Sequence, residues 1–137
     1  MHDRPTASEL LGAVQAFLEE EIVPATTGRR QFLARVAANC VGMVDREFAA
    51  EQEHVERAWT GLDALCGAVA EPQDRRRRAA AVTERLTELC ERIRAGDFDE
   101  GSKGYESLLA FARGRVRDKL EVSNPRLLEA DRAREIR

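Results

Sequence analysis

Leu10, Leu11, Val14, Phe17, Leu18 and Ile22 recur at three- and four-residue intervals, the period of a helix that is apolar on one side. Just ahead of them, Thr6-Ala-Ser-Glu9 has the form of a capping box, in which the Thr hydroxyl and the Glu carboxylate each satisfy a backbone N–H that the first turn leaves without a partner. A first helix is therefore predicted from about Thr6, with Asp3 as the competing cap. Its apolar face, about 140° wide at about 100° per residue, must be buried. Pro24, Thr26, Thr27 and Gly28 interrupt the pattern. A second helix is predicted from Arg29 or Arg30 to about Ala50. Phe32, Leu33, Val36, Ala37, Cys40, Val41, Met43, Val44 and Phe48 give it an apolar arc of about 180°, too wide for a helix resting on one neighbour, which marks it as central.

Val55, Ala58, Trp59, Leu62, Leu65, Cys66 and Val69 predict a third helix from about Glu51 to Ala70, with Gly61 as its weak point and Glu71-Pro-Gln-Asp74 ending it. A fourth, from about Gln73, presents Val82, Leu86, Leu89, Cys90 and Ile93 and stops at Gly96, where a left-handed C-terminal cap is expected. A loop leads to a fifth helix from about Tyr105 to Val122, with Leu108, Leu109, Ala112, Val116 and Leu120 facing inward and Asn124-Pro125 ending it. Five helices with short connections define the fold class as all-α: a single-domain antiparallel bundle over residues 1–126. A charged C-terminal tail over 127–137 is expected to be frayed, or docked on a partner through Leu127, Leu128 and Ile136.

The 137-residue chain is 43% hydrophobic and 34% charged with few aromatic residues, a balance suited to helices rather than to a sheet. Its net charge of −3 supplies no basic field to gather nucleic acid or anionic lipid. No apolar run approaches the roughly 20 residues that cross a bilayer, and the charged N-terminus lacks a signal-peptide core, so a cytoplasmic protein is expected. Cys40, Cys66 and Cys90 are odd in number, far apart and set beside apolar stripes, the pattern of buried free thiols.

Candidate chemistry is sparse. Glu51-Gln-Glu-His54 has the Glu-x-x-His spacing of di-iron bundles, but the second motif that a dinuclear site needs is missing, so a solvated helix start is the simpler account. No serine or cysteine has a histidine at a helical spacing that would activate it, and Gly101-Ser-Lys-Gly104 lacks the length and strand context of a phosphate loop. Catalysis, a bound metal and a cofactor are accordingly not expected. Arg75–Arg78 form a basic run near a helix N-terminus, either a solvated face beside Glu71 and Asp74 or a site for an anion or acidic partner. Arg35, Asn39 and Arg46 make a polar stripe along one edge of the central apolar arc. Asn39, expected to be at least half-buried with Arg35 as a hydrogen-bond partner, either fixes the helix register or belongs to an interface.

Three stretches, "HDRPTASELL" at 2–11, "RVAANCVGMVDRE" at 35–47, and "RAGDFD" with "DKLEVSNPR" at 94–99 and 118–126, resemble a family of small bacterial proteins catalogued as a domain of unknown function. The resemblance implies a gene neighbourhood shared with an aminoglycoside-phosphotransferase-like kinase and an acyl-CoA dehydrogenase. It also implies a role like that of the small accessory subunit of the kinase that phosphorylates 4-hydroxyacyl-CoA in levulinate catabolism. A non-catalytic interaction subunit is then expected, with the kinase as its partner, the dehydrogenase in the same pathway and a homodimer open. The alternative is a helical module that binds acyl-CoA or another small ligand. Motif position and polarity nominate Asp3, Arg4, Thr6, Arg35, Asn39, Arg46, Asn124 and Arg126 as partner-binding residues. The tail after Arg126 and the "DRRRR" run at 74–78 depart from the family's usual pattern.

Overall fold

The computed structural model describes the backbone of residues 4–135 and the side chains of residues 4–130, so His2, Asp3 and Ile136 lie outside the described residues. Helix α1 (Ala7–Phe17) runs on through a π-helical turn, Leu18–Ile22, into the short α2 (Val23–Ala25). Helices α3 (Gly28–Cys66), α4 (Arg75–Arg94), α5 (Tyr105–Ser123) and α6 (Pro125–Glu135) follow. The all-α expectation holds, with five helical stretches and, among the described residues, no strand. The chain groups into two compact units, Met1–Ala50 and Glu51–Arg137.

The helix ends follow from local chemistry. Thr6 caps α1 as predicted: its Oγ1 accepts from the Glu9 N–H at 3.2 Å, and Glu9 Oε2 accepts from the Thr6 N–H at 2.7 Å. The π turn falls just before Pro24, which has no N–H to continue the α-helical ladder, and the Val23 N–H reaches back five residues to the Leu18 carbonyl. Two predicted helices are one, because α3 passes Ala50 through a stretch of Ala, Glu and Gln that holds neither Gly nor Pro. It ends at Cys66 rather than Ala70 because Gly67 takes up φ +93° and donates to the Asp63 carbonyl at 3.0 Å. Asp74 caps α4, its Oδ1 accepting from the Arg77 N–H at 2.9 Å, and Pro125 opens α6 directly after Asn124.

In the first unit α1 lies antiparallel to α3. Ser8 Oγ donates to Asp45 Oδ1 at 2.6 Å near one end, and Gln31 Nε2 donates to the Val23 carbonyl at 3.0 Å near the other. Small residues make the seam: Ala34, Ala38 and Gly42, four apart, are buried, and a Cβ on Gly42 would lie 2.9 Å from Gln15 Oε1. The large apolar side chains lie elsewhere. Leu10, Val14 and Phe17 on α1, and Phe32, Leu33, Val36, Val44 and Phe48 on α3, are exposed, which corrects the expectation that the α1 face is buried. One neighbouring helix covers one side of an arc that is wider than it can reach. The cysteines are unpaired as expected but not sequestered, Cys40 and Cys90 being exposed and Cys66 half-buried. Cys40 lies on the same uncovered arc of α3.

The second unit holds the core. Leu62 is fully buried, and Ala58, Trp59, Val82, Leu89 and Phe98 close around it from α3, α4 and the loop after α4. Arg85 is buried with them; it stacks 4.7 Å over the Trp59 ring and donates to Asp63 Oδ1 at 2.7 Å and to the Gly67 carbonyl at 2.9 Å. A cation from α4 thus completes the end of α3. Phe111 of α5 lies over Gly61 of α3, where an added Cβ would run into its ring. Gly61→Ala is expected to lower stability by about 1–2 kcal/mol, the overpacking outweighing the roughly 1 kcal/mol of helix propensity that alanine brings. Gly12→Ala, with nothing within 4 Å, is expected to raise it. Paired thermal melts check this, and two shifts of the same sign would contradict it.

Candidate docking site

The site begins with the way α5 is turned. Asp118 and Val122 of α5 are buried and Phe111 packs on the core, so its inner side carries a carboxylate rather than its most apolar stripe. Asp118 is held by two arginines. Arg57 of α3 donates from Nε and Nη2 to Oδ1 at 3.1 and 2.7 Å, and Arg115 Nη1 donates to Oδ2 at 3.0 Å. Arg57 also pairs with Glu53 and, at 3.5 Å, with Glu121. The hydrogen bonds that Arg57 donates to Asp118 raise the Arg57 pKa against the opposing effect of desolvation, so the guanidinium stays charged. His54 is no solvated helix start: it lies inside α3 with its side chain 12% exposed and its Nε2 3.1 Å from Glu121 Oε2 of α5. Merging the two predicted helices is what moves it from an end to an interior turn.

Of the five residues expected to face inward, Leu108 packs on the core, while Leu109, Ala112, Val116 and Leu120 line a groove of about 1200 Å³ whose other walls include Thr60 of α3 and Leu128 of α6. Only one side of a helix can meet α3. Phe111 against Gly61 and Asp118 against Arg57 take that side, and the apolar stripe, roughly 120° around the helix, is left outside. Val116 is 55% exposed as a result.

Donor atoms of His54, Asp118 and Glu121 lie within 4.8 Å of one another, a set whose chemistry suits a metal ion. Guanidinium groups already cover both Asp118 oxygens, and a dication there would sit against two positive charges. The cluster acts as a clamp between α3 and α5.

The nominated residues fall into two groups. Arg4, Thr6, Arg35, Asn39 and Arg46 belong to the first unit, while Asp3 lies outside the described residues. Thr6 is occupied as a cap, and the Arg4 side chain is 87% exposed, 3.9 Å from Glu9. Arg35 is exposed. Asn39 is exposed rather than half-buried, and it donates to Met43 Sδ at 3.8 Å instead of pairing with Arg35, because α1 covers the small-residue side of α3 and leaves this edge in solvent. Arg46 lies beside the Gly42 seam. Asn124 and Arg126, both exposed, belong to the second unit at the α5–α6 turn, where the Asn124 N–H donates to the Leu120 carbonyl at 2.8 Å and its carbonyl accepts from Leu127 at 3.1 Å. Leu120 and Leu128, on either side of that turn, line the groove, so these two residues mark its end. In the basic run, Arg75 pairs with Glu51 at 2.6 Å and Arg78 with Glu71 at 3.0 Å. Sequence reasoning missed the groove residues of α5, although their spacing was the signal; it was read as core.

Residues 24–127 match the model of a family described as a domain of unknown function, DUF6285. The chain belongs to that family. The DUF6285 segment takes in α3, α4, α5 and every groove residue except Leu128, while α1 precedes it. Of the stretches that carry the sequence resemblance, those at 35–47, 94–99 and 118–126 lie inside the segment and that at 2–11 lies before it. No curated protein and no solved structure matches the chain. No helix among the described residues is long and apolar enough to cross a membrane.

Proposed function

We propose that the chain is a non-catalytic accessory subunit of the cytoplasm that docks onto a phosphotransferase-like kinase acting on hydroxyacyl-CoA, in a pathway shared with an acyl-CoA dehydrogenase. The outward turn of the α5 stripe carries the docking role. Leu109, Ala112, Val116 and Leu120 form a helical ridge of the kind that receives an amphipathic partner helix, and an apolar lining that also holds Arg57, Arg113 and Glu121 has the mixed anatomy of a protein interface. The kinase as partner rests on the resemblance of the motifs at 35–47 and 118–126.

Co-expressed with the tagged chain, the kinase encoded beside it is expected to co-purify. Val116→Asp, at a position 55% exposed and outside the core, is expected to weaken capture about tenfold or more while leaving helical content unchanged. A kinase equally soluble and active without the chain, and never captured by it, would overturn the assignment. The same groove supports a second function, because Arg113 along it suits a phosphate of CoA while the apolar lining suits an acyl chain. Calorimetric titration of hydroxyacyl-CoA into the isolated chain separates the two; no heat at millimolar ligand removes the second.

A further inference from the structure

We infer that the first unit is half of a symmetric four-helix bundle, in which a second copy of the chain covers the apolar side of the α1–α3 pair. At about 100° per residue, Leu33, Val44 and Phe48 lie roughly 80–140° around α3 from the Ala34–Ala38–Gly42 seam. On α1, Leu10, Val14 and Phe17 lie roughly 90–150° from Ser8, Leu11 and Gln15, displaced in the same rotational sense. In an antiparallel pair, displacement in the same sense brings both sets to one side. The opposite side takes Glu9 of α1 and Arg35, Asn39 and Arg46 of α3, with Phe32 among them. The pair is thus a plate that gathers six large apolar side chains on one face and sets polar residues around Phe32 on the other.

This plate cannot enclose a core by itself. The buried residues among those described in the first unit are Ala34, Ala38 and Gly42, with no large side chain among them. Two helices have no interior, whereas two such plates laid face to face make the common four-helix arrangement. The area agrees. Leu10, Val14, Phe17, Leu33, Val44 and Phe48 are 45–62% exposed. Together they present on the order of 600 Å² of apolar surface, before any rim residue is added, against about 800 Å² per partner in a standard interface. The six themselves carry no charge, and the charged residue on the Phe48 line of α3 is Arg30, about five turns away, so the patch is apolar at its centre and suits its own copy in an isologous homodimer. The docking groove of the kinase assignment lies in the second unit, and although the motif at 35–47 belongs to the first, the mass of the purified chain alone tests the dimer without the kinase.

Sedimentation equilibrium of the purified full chain alone is expected to return twice the 15.3 kDa of one chain at micromolar concentration. Phe48→Glu and Leu10→Glu, one on each helix and both at exposed positions, are each expected to raise the dimer dissociation constant about 100-fold or more with helical circular dichroism retained. Val69→Glu, equally exposed but in the second unit, is expected to leave the mass doubled. A wild-type mass of 15.3 kDa at tens of micromolar overturns the dimer, and it needs no variant to be seen. A doubled mass in both Phe48→Glu and Leu10→Glu overturns the assigned face.

Discussion

Leu62→Ala is expected to lower stability by about 3 kcal/mol, roughly 10 °C in Tm for a chain of this length. Leu62 has no exposed surface, and the side chains around it come from three separate places: Trp59 on α3, Val82 and Leu89 on α4, and Phe98 in the following loop. A truncated leucine leaves a hole that such neighbours can fill only by moving together. Two of them are pinned from outside, Trp59 beneath the Arg85 guanidinium at 4.7 Å and Phe98 beneath that of Arg92 at 5.0 Å. Most of the cavity therefore persists, and the cavity contribution adds to the lost transfer free energy. Leu127→Ala, at a position 48% exposed, is expected to change stability by less than about 0.5 kcal/mol. Denaturant titrations of both variants decide the matter, and equal losses would show that Leu62 is not at the centre of the core.

Asp118→Ala is expected to cost about 2–3 kcal/mol and, unlike Leu62→Ala, to weaken whatever binds the groove at temperatures where the protein is fully folded. Removing the carboxylate leaves the Arg57 and Arg115 guanidiniums facing one another across the α3–α5 contact with no anion between them. The loss stays below the upper range for a broken buried pair because Arg57 is 43% exposed and keeps Glu53 and Glu121 as partners. Arg57→Ala is expected to cost less, since Asp118 retains Arg115, and the double variant should reveal a coupling of about 1 kcal/mol. The consequence for binding follows from geometry: Asp118 is what turns α5 so that Val116 faces out. An Asp118→Ala variant as stable as Glu129→Ala, an exposed carboxylate on α6, would mean that the clamp does not set the orientation of α5.

The period of α5 was plain in the sequence, yet which side of it would be inside was not. Its wheel offers two candidate inner faces, one of five apolar residues, of which Leu108 alone reaches the core, and one containing Phe111, Arg115, Asp118 and Val122. By hydrophobicity alone the first wins. The second wins in the structure because Arg57, 61 residues away, supplies the partner that makes burying Asp118 tolerable. His54 was misplaced for a related reason: its role depends on Glu121, 67 residues on, and on a helix that continues where the apolar pattern shifts. The width of the second predicted helix's arc was legible but its meaning was not: it was read as a central helix, whereas α1 covers the small-residue side and Phe32, Val44 and Phe48 remain in solvent.

Helix type, the Thr6 capping box, the glycine and proline stops and the absence of a long apolar span in the described residues were all decided by the sequence itself, because each depends on groups within about four residues of one another. Family membership is likewise a property of the sequence. Tertiary structure alone decided that α5 shows its apolar stripe to a groove, that Asp118 is buried and that the α1 face is bare. Those outcomes turn on contacts between residues tens of positions apart, where a buried charge is settled by whether a distant counter-ion arrives, and no local pattern encodes that arrival.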